Sequence, residues 1–325
     1  MIKGLSVSIL IPVKGDNKNL RECIEACLRL DYADFEIVVL PDEMINLPYA
    51  GRVKVIPTGE VGPAAKRDMA IKGLKGAILA FLDDDAYPDK DWLNNAVRHF
   101  GEEAIAAVCG PAVTPDSDAL RQKASGDVYS SFIVSGAHTR RYIPRPACEV
   151  EDYPSCNFLM RRDIFEESGG FNTSFWPGED TVLCLKVTKE LKKKIIYDPD
   201  VLVYHHRRPL FAPHLRQIKN YALHRGYFVK RFPQTSLKAT YFFPSIFAAG
   251  LAIGGIVSIF SPLLRAFYFQ VISAYLIVTL YNAFKYSSSP RARFPVFLGI
   301  VLTHLTYGVY FIKGLFTGRL AEENG

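Results

Sequence analysis

The run AFLDDDAYPDKDW (80–92) ends an apolar stretch on three consecutive aspartates, Asp83, Asp84 and Asp85. Adjacent carboxylates repel one another unless a cation or hydrogen-bond donors compensate them. Oxygen ligands of this hardness suit Mg²⁺ or Mn²⁺, ions that keep several waters and bind substrate phosphates as well. The apolar residues in front of them read as a strand, and open α/β sheets bind ligands at the carboxyl ends of their strands. A second acidic pair, Glu179 and Asp180, opens a helical segment. The positive end of that helix is expected to keep Asp180 ionised, as a general base requires.

Around these residues, the first two hundred positions alternate β-branched runs with amphipathic segments. This is the pattern of a mostly parallel sheet covered on both faces. Strands are predicted at 6–12, 35–40, 52–56, 77–82, 105–109 and 155–160, with a pair of strands around 195–204. Helices are predicted at 17–30, 63–74, 90–100, 163–168 and 179–191. Gly62-Pro63 opens the second of these, with proline in the first turn where its missing N–H costs nothing. Residues 116–150, with His138, Arg140 and Arg141, are expected to form an irregular excursion over a pocket.

The charge is distributed unevenly. The chain of 325 residues carries +6, but +4 of this lies from Ala239 onward and only +2 on residues 1–238. A nearly neutral front domain excludes a general nucleic-acid footprint. No acid occurs between Asp200 and Glu322, whereas Arg207, Arg208, Arg216, Lys219, Arg225, Lys230, Arg231 and Lys238 crowd the segment before the tail. Such a cluster is attracted to anionic lipid headgroups. Beyond it, 239–264, 266–284 and 294–312 are free of charge and each is about long enough to cross a bilayer core. The loop KYSSSPRAR (285–293) is basic and is expected to lie inside. The six cysteines form no CxxC pair, and the N-terminal apolar run is too short for a signal peptide. A reducing, cytoplasmic location for the front domain follows.

Five motifs in order resemble family 2 glycosyltransferases of the GT-A fold. Asp83 and Asp85 match the family's DxD motif. VSILIPVKGDN resembles its opening strand and nucleotide-contacting turn at Pro12 and Val13. GPAAKRDMAI (62–71) resembles the helix with a basic residue near the nucleotide, here Arg67 beside Lys66. GGFNTSFWPGEDTVLCLK (169–186) resembles the acceptor segment, and YDPDVLVYHHRR (197–208) the later strand whose histidine, here His205, completes the metal site. The resemblance implies a nucleotide-sugar donor of the UDP or GDP class, held by Pro12, Val13, Asp42, Lys66, Arg67, Asp83 and Asp84. It implies Mg²⁺ or Mn²⁺ on Asp83, Asp85 and His205, Asp180 as base, and acceptor contacts at Trp176, Gly178 and Glu179. Three departures stand out: Pro41-Asp42-Glu43 replaces the usual Asp-Asp-Gly-Ser turn, Asp68 stands where asparagine is usual, and the Gln-x-x-Arg-Trp motif of processive synthases is absent.

The expected protein is an inverting, single-sugar transferase acting on a lipid-linked acceptor at the cytoplasmic face of the inner membrane, in cell-envelope glycan assembly. Its domains are expected at 1–205 (GT-A), 206–238 (basic membrane interface), 239–316 (three membrane helices) and 317–325 (tail). A polyprenyl-phosphate glycosyltransferase is the rival within the class. A nucleotidyltransferase or an inactive membrane scaffold are the rivals outside it. The first outside rival lacks a Gly-rich phosphate loop here, and the second would not need Asp83, Asp85, Asp180 and His205 intact.

Overall fold

The computed structural model describes residues 4–49 and 51–321; the end of the tail, with Glu322 and Glu323, lies outside the described residues. In chain order the first elements are β1 (Val7–Pro12), α1 (Lys18–Cys27), β2 (Phe35–Leu40), β3 (Val53–Val55), α2 (Pro63–Ala70), β4 (Ile78–Leu82), β5 (Ala86–Pro88) and α3 (Trp92–Val97). There follow β6 (Ile105–Cys109), β7 (Ala112–Val113), α4 (Leu120–Ser130), α5 (Phe132–Ser135), β8 (Cys148–Val150), β9 (Asn157–Arg161), α6 (Arg162–Glu167) and α7 (Glu179–Leu185). The remainder is β10 (Lys194–Tyr197), β11 (Val203–His205), α8 (Ala212–Arg231), α9 (Pro233–Ser236), α10 (Ala239–Val257), α11 (Pro262–Tyr286) and α12 (Arg293–Phe316).

Two compact units form, and they do not follow the linear order of the chain. The first comprises the residues up to Val113 together with Arg140–His206; the second comprises Thr114–Thr139 and the residues from Arg207 on. In the first unit an eight-stranded sheet has the order β3-β2-β1-β4-β9-β6-β10-β8. Strands β1 to β4 are parallel, as are β6 and β10, while β9 and the edge strand β8 run the other way. Both faces are covered, so β1, β4 and β6 are buried at every position. Alternate side chains divide between two cores. Ile9, Ile11, Ala80 and Leu82 pack towards Cys23, Ile24 and Trp92, while Leu10, Leu79 and Phe81 pack towards Ile164, Phe165 and Leu183. A small second sheet, β5-β11-β7, closes the carboxyl end of β4.

The second unit is helical. Its core joins Ala124 and Val128 of α4 to Leu210, Ala283, Val296 and Ile300. Helices α8 and α12 approach to backbone contact because Gly226 and Gly314 face each other: a Cβ on either would run into the other helix's backbone. His214 is enclosed between Ser125 Oγ (2.8 Å) and Thr303 Oγ1 (2.9 Å), and burial pushes its pKa down to about 4, which leaves a neutral, structural imidazole. The expected irregular excursion is therefore corrected: its first part is the helix α4. That helix buries Ala124, Ser125 and Gly126 beside Val128 and Tyr129, a face of small residues that shows no apolar periodicity in the sequence. The expected helix 179–191 stops being α-helical at Leu185 and continues as one π-type turn over Lys186–Glu190.

Candidate functional site

Strand β4 delivers Asp83 to its carboxyl end, and β5 begins only at Ala86, so the three aspartates occupy the intervening turn. Antiparallel pairing of β11 with β5 sets His205 opposite Ala86. The backbone N–H of His206 donates to Asp85 O (2.9 Å), which locks that register. As a result Asp83, Asp85 and His205 present ligand atoms that all lie within 4.8 Å of one another, with His205 Nε2 3.0 Å from Asp85 Oδ1. Two carboxylates and an imidazole, each partly open to solvent, form a donor set that fits a divalent ion. Asp84 is not in this group. Its carboxylate accepts from Asn17 Nδ2 (2.9 Å), and Asn17 in turn caps α1 by accepting from the N–H groups of Asn19 and Leu20. Burial pushes the Asp84 carboxyl up to about 6.

Arg67 is fully buried on α2 and spans the site. Its Nη2 donates to Asp83 Oδ1 and its Nη1 to Ser155 Oγ, both at 2.8 Å. The guanidinium lies 5.6 Å from the centroids of both Phe81 and Phe171, so aromatic faces offset part of its desolvation. Lys66, on the other side of α2, pairs with Asp42 Oδ1 at 2.6 Å and donates to Thr58 Oγ1 (2.8 Å) and to the Gly59 carbonyl (3.1 Å). Pro12, Val13 and Asp42 sit at or just past the ends of β1, the neighbour of β4, and β2, the next strand beyond it, and Val13 N donates to Leu40 O. Of the sequence-predicted donor residues, Pro12, Val13, Asp42, Asp83 and Asp84 thus lie at one edge of three adjacent parallel strands, and Lys66 and Arg67 reach Asp42 and Asp83 from α2.

The Glu179-Asp180 pair opens α7 as expected, but its electrostatics differ from expectation. Burial pushes Glu179 up to about 8, helped by the charge of Asp180. Burial also pushes Asp180 up to about 6, against the pull of Arg67 and Ser155. A helix of seven residues has too small a terminal dipole to outweigh desolvation of a carboxylate. Near neutral pH Glu179 therefore holds its proton while Asp180 remains mostly ionised. Glu179 Oε2 accepts from Gly178 N (2.9 Å), whereas Asp180 Oδ1 is shielded from solvent and has no hydrogen-bond partner among the described residues. Trp176 is 56% exposed, ahead of Gly178, whose φ of +127° favours glycine.

Sequence reasoning missed Ser155, which joins Arg67 to Asp180, and the role of Asp68. The Asp68 carboxylate accepts from the N–H groups of Phe171 (3.0 Å) and Asn172 (2.9 Å), pinning the loop that leads to α7. Gly170, at φ +71°, passes so near that a Cβ would lie 2.6 Å from Asp68 Oδ1. No periodicity marks either residue; the only signal was aspartate where the family has asparagine. Asp68→Ala is expected to lower stability by about 2 kcal/mol, since two bonds to a charged acceptor are lost. Asp68→Asn, which keeps one acceptor oxygen, should lose less; denaturant midpoints of the purified variants are the check.

Residues 8–169 match the family described as glycosyl transferase family 2. The pre-mycofactocin glycosyltransferase of Mycobacterium tuberculosis is 26% identical over 206 residues, which cover 62% of this chain and 43% of that one. The chain thus spans less than half the length of that relative. The glucosyl-dolichyl phosphate glucuronosyltransferase of Haloferax volcanii is 23% identical over 207 residues, covering 58% of this chain and 64% of that one. Among solved structures, a mannosyltransferase from Pyrobaculum calidifontis in complex with GDP-Man and Mn²⁺ aligns with a TM-score of 0.64 at 18% identity. That alignment covers 98% of this chain and 89% of that one and shows the same fold. Through residues 8–169 the chain belongs to glycosyl transferase family 2, with a GT-A fold followed by three helices long and apolar enough to cross a membrane.

Proposed function

We propose that the protein is a metal-dependent, inverting glycosyltransferase that moves one sugar from a nucleoside-diphosphate donor to a hydroxyl of a lipid-linked acceptor. The observation that carries this reading is the chain of contacts from Asp83, beside Asp85 and His205, through Arg67 to Ser155 and Asp180. A divalent ion on Asp83, Asp85 and His205 would offset the charge that develops on the leaving diphosphate. His205 favours Mn²⁺ over Mg²⁺, because an imidazole nitrogen is a softer ligand than a carboxylate or water. The Pyrobaculum mannosyltransferase complex holds GDP-Man and Mn²⁺, which supports a nucleotide-sugar donor and a divalent ion here. Pro12, Val13 and Asp42 would border the nucleoside, with Lys66 holding the Asp42 carboxylate in place. Asp180 would take the proton of the attacking hydroxyl, and direct attack inverts the anomeric centre.

Asp180 Oδ1 also discriminates between acceptors. A buried acceptor atom with no partner is costly unless a donor arrives, and a hydroxyl is such a donor. A polyprenyl phosphate, already ionised, would bring no proton to Asp180 and would face a second negative charge. The name of the Haloferax relative, a glucosyl-dolichyl phosphate glucuronosyltransferase, supports a lipid-linked sugar as the acceptor class. The exposed apolar helices and the basic α8 support work at the cytoplasmic face of a membrane, as envelope glycan assembly requires. A panel of UDP- and GDP-sugars, incubated with the purified full chain with and without Mn²⁺, tests the reading. Release of nucleoside diphosphate is expected for one donor and only with the metal. Release that is equal in EDTA, or from no donor even with lipid extracts added, would overturn it.

A further inference from the structure

Helices α10 and α11 form an antiparallel hairpin. Tyr268 Oη donates to the Leu251 carbonyl (3.0 Å), Gly254 faces the Tyr268 ring, and the rings of Phe247 and Tyr275 lie 4.1 Å apart. The tip is apolar and open, with Ile259, Phe260 and Leu263 among the most exposed side chains. The start of α10 and the end of α11 form its base. Helix α12, equally apolar, touches that base at both of its own ends. At its beginning, the Arg293 guanidinium lies 4.6 Å from the Phe284 ring near the end of α11. Just before it, Ser288 N and Oγ both donate to Asp127 of α4 (2.9 Å). Towards its far end, the rings of Phe311 and Phe242 lie 5.0 Å apart, and Ser245 Oγ donates to the Gly308 carbonyl (3.2 Å). Beyond the end, Lys230 Nζ, in the last turn of α8, donates to the Thr317 carbonyl (2.8 Å).

A helix that crosses a bilayer has its ends on opposite faces, about 30 Å apart. The two ends of α12 instead meet the same, open end of the hairpin. From this geometry we infer that only α10 and α11 cross, and that α12 lies along the membrane surface across their base, on the cytoplasmic side. Its side chains agree. Thr303, Gly308, Phe311 and Gly314 turn inward to α8 and α10, and α12 buries eight residues within the protein, against one in α10 and three in α11. The opposite side carries an exposed row, Phe294, Leu302, Val309 and Phe316, recurring every seven or eight residues along one side of the helix. Meanwhile α8, which covers the inward face, exposes Arg216, Lys219, Lys230 and Arg231. Crossing together with α12 would drag these charges through hydrocarbon, whereas at the surface they meet anionic headgroups while the apolar row enters the leaflet.

This inference rests on the proposed membrane insertion of the hairpin, and the experiment separates the two. Single cysteines are placed at Ser288, at Gly318 and at Phe260 of the full chain, with the half-buried Cys148 replaced by serine and the buried cysteines left in place. Sealed right-side-out and inverted vesicles are then treated with a membrane-impermeant maleimide. Gly318→Cys and Ser288→Cys are expected to be labelled in inverted vesicles only, and Phe260→Cys in right-side-out vesicles only. Labelling of Gly318→Cys on the face opposite Ser288→Cys would make α12 a third span and overturn the inference. If Phe260→Cys is labelled on the same face as the other two, the hairpin does not cross and the insertion reading fails, while the surface position of α12 stands.

Discussion

Asp180→Asn is expected to lower the rate of sugar transfer by about 10²- to 10⁴-fold, the usual contribution of a positioned general base. The substitution keeps shape and hydrogen-bonding capacity but removes the proton acceptor, so donor affinity should change little and the loss should fall on kcat. Wild type carries a second signature. Because burial pushes the Asp180 carboxyl up to about 6, the basic form disappears as pH falls through that value. Transfer should then drop about tenfold per pH unit on the acid side, an ionisation limb that Asp180→Asn lacks. Glu179 is a poor substitute, since burial, the main cause of its raised pKa, persists in the variant. Initial rates against pH for both proteins, with lipid extract as acceptor source, decide the matter. Near-normal transfer by Asp180→Asn to a hydroxyl acceptor would end the base assignment.

Asp85→Ala is expected to abolish the metal-dependent part of donor binding and to lower transfer by about 10³-fold, several kcal/mol of lost charge compensation at the leaving group. His205 loses its carboxylate neighbour at the same time, so two of three ligands are disturbed. Asp84→Asn provides the contrast. Its carboxylate faces Asn17 and the start of α1, so the effect of Mn²⁺ on donor affinity should survive. Calorimetric titration of each variant with donor, in Mn²⁺ and in EDTA, gives the comparison. Donor affinity in Asp85→Ala that still rises with Mn²⁺ would remove Asp85 from the ion's ligand set.

Much of the catalytic unit was legible because its signals are local. Strands β4 and β6 are continuous apolar runs, and β1 and β2 are broken only by Ser8 and Glu36, as sheets buried on both faces require, and the aspartates mark where β4 ends. The grouping of Asp83, Asp85 and His205 came from motif resemblance; only the β5-β11 register explains it physically. What sequence could not carry was pairwise and long-range. Ser155 matters because it stands between Arg67 and Asp180, and nothing in its neighbourhood announces that. The raised pKa of Asp180 is not legible in the sequence, which displays the helix terminus but not the desolvation that opposes it. Helix α4 went unread because small residues, not large apolar ones, line its buried face. The three apolar segments were plain from composition, but which faces of α12 are covered depends on α8, more than sixty residues earlier.

The strand order of the large sheet also governs how the chain can be made. Strand β6 lies between β9 and β10, and both are translated later; β4 likewise lacks one neighbour until β9 exists. Strands β1 to β4 can pair as soon as they leave the ribosome, since each has an earlier or immediate partner. Immediately behind β6, helix α4 waits longer still, for α8, α11 and α12. Residues 105–139 are thus synthesised into a stretch with neither of their final surroundings available, an apolar strand followed by a helix with no core. The interval most open to misassembly during translation is this one, ahead of the apolar hairpin that follows. Ending the chain anywhere before residue 205 leaves that strand, the ion site or both without a mate.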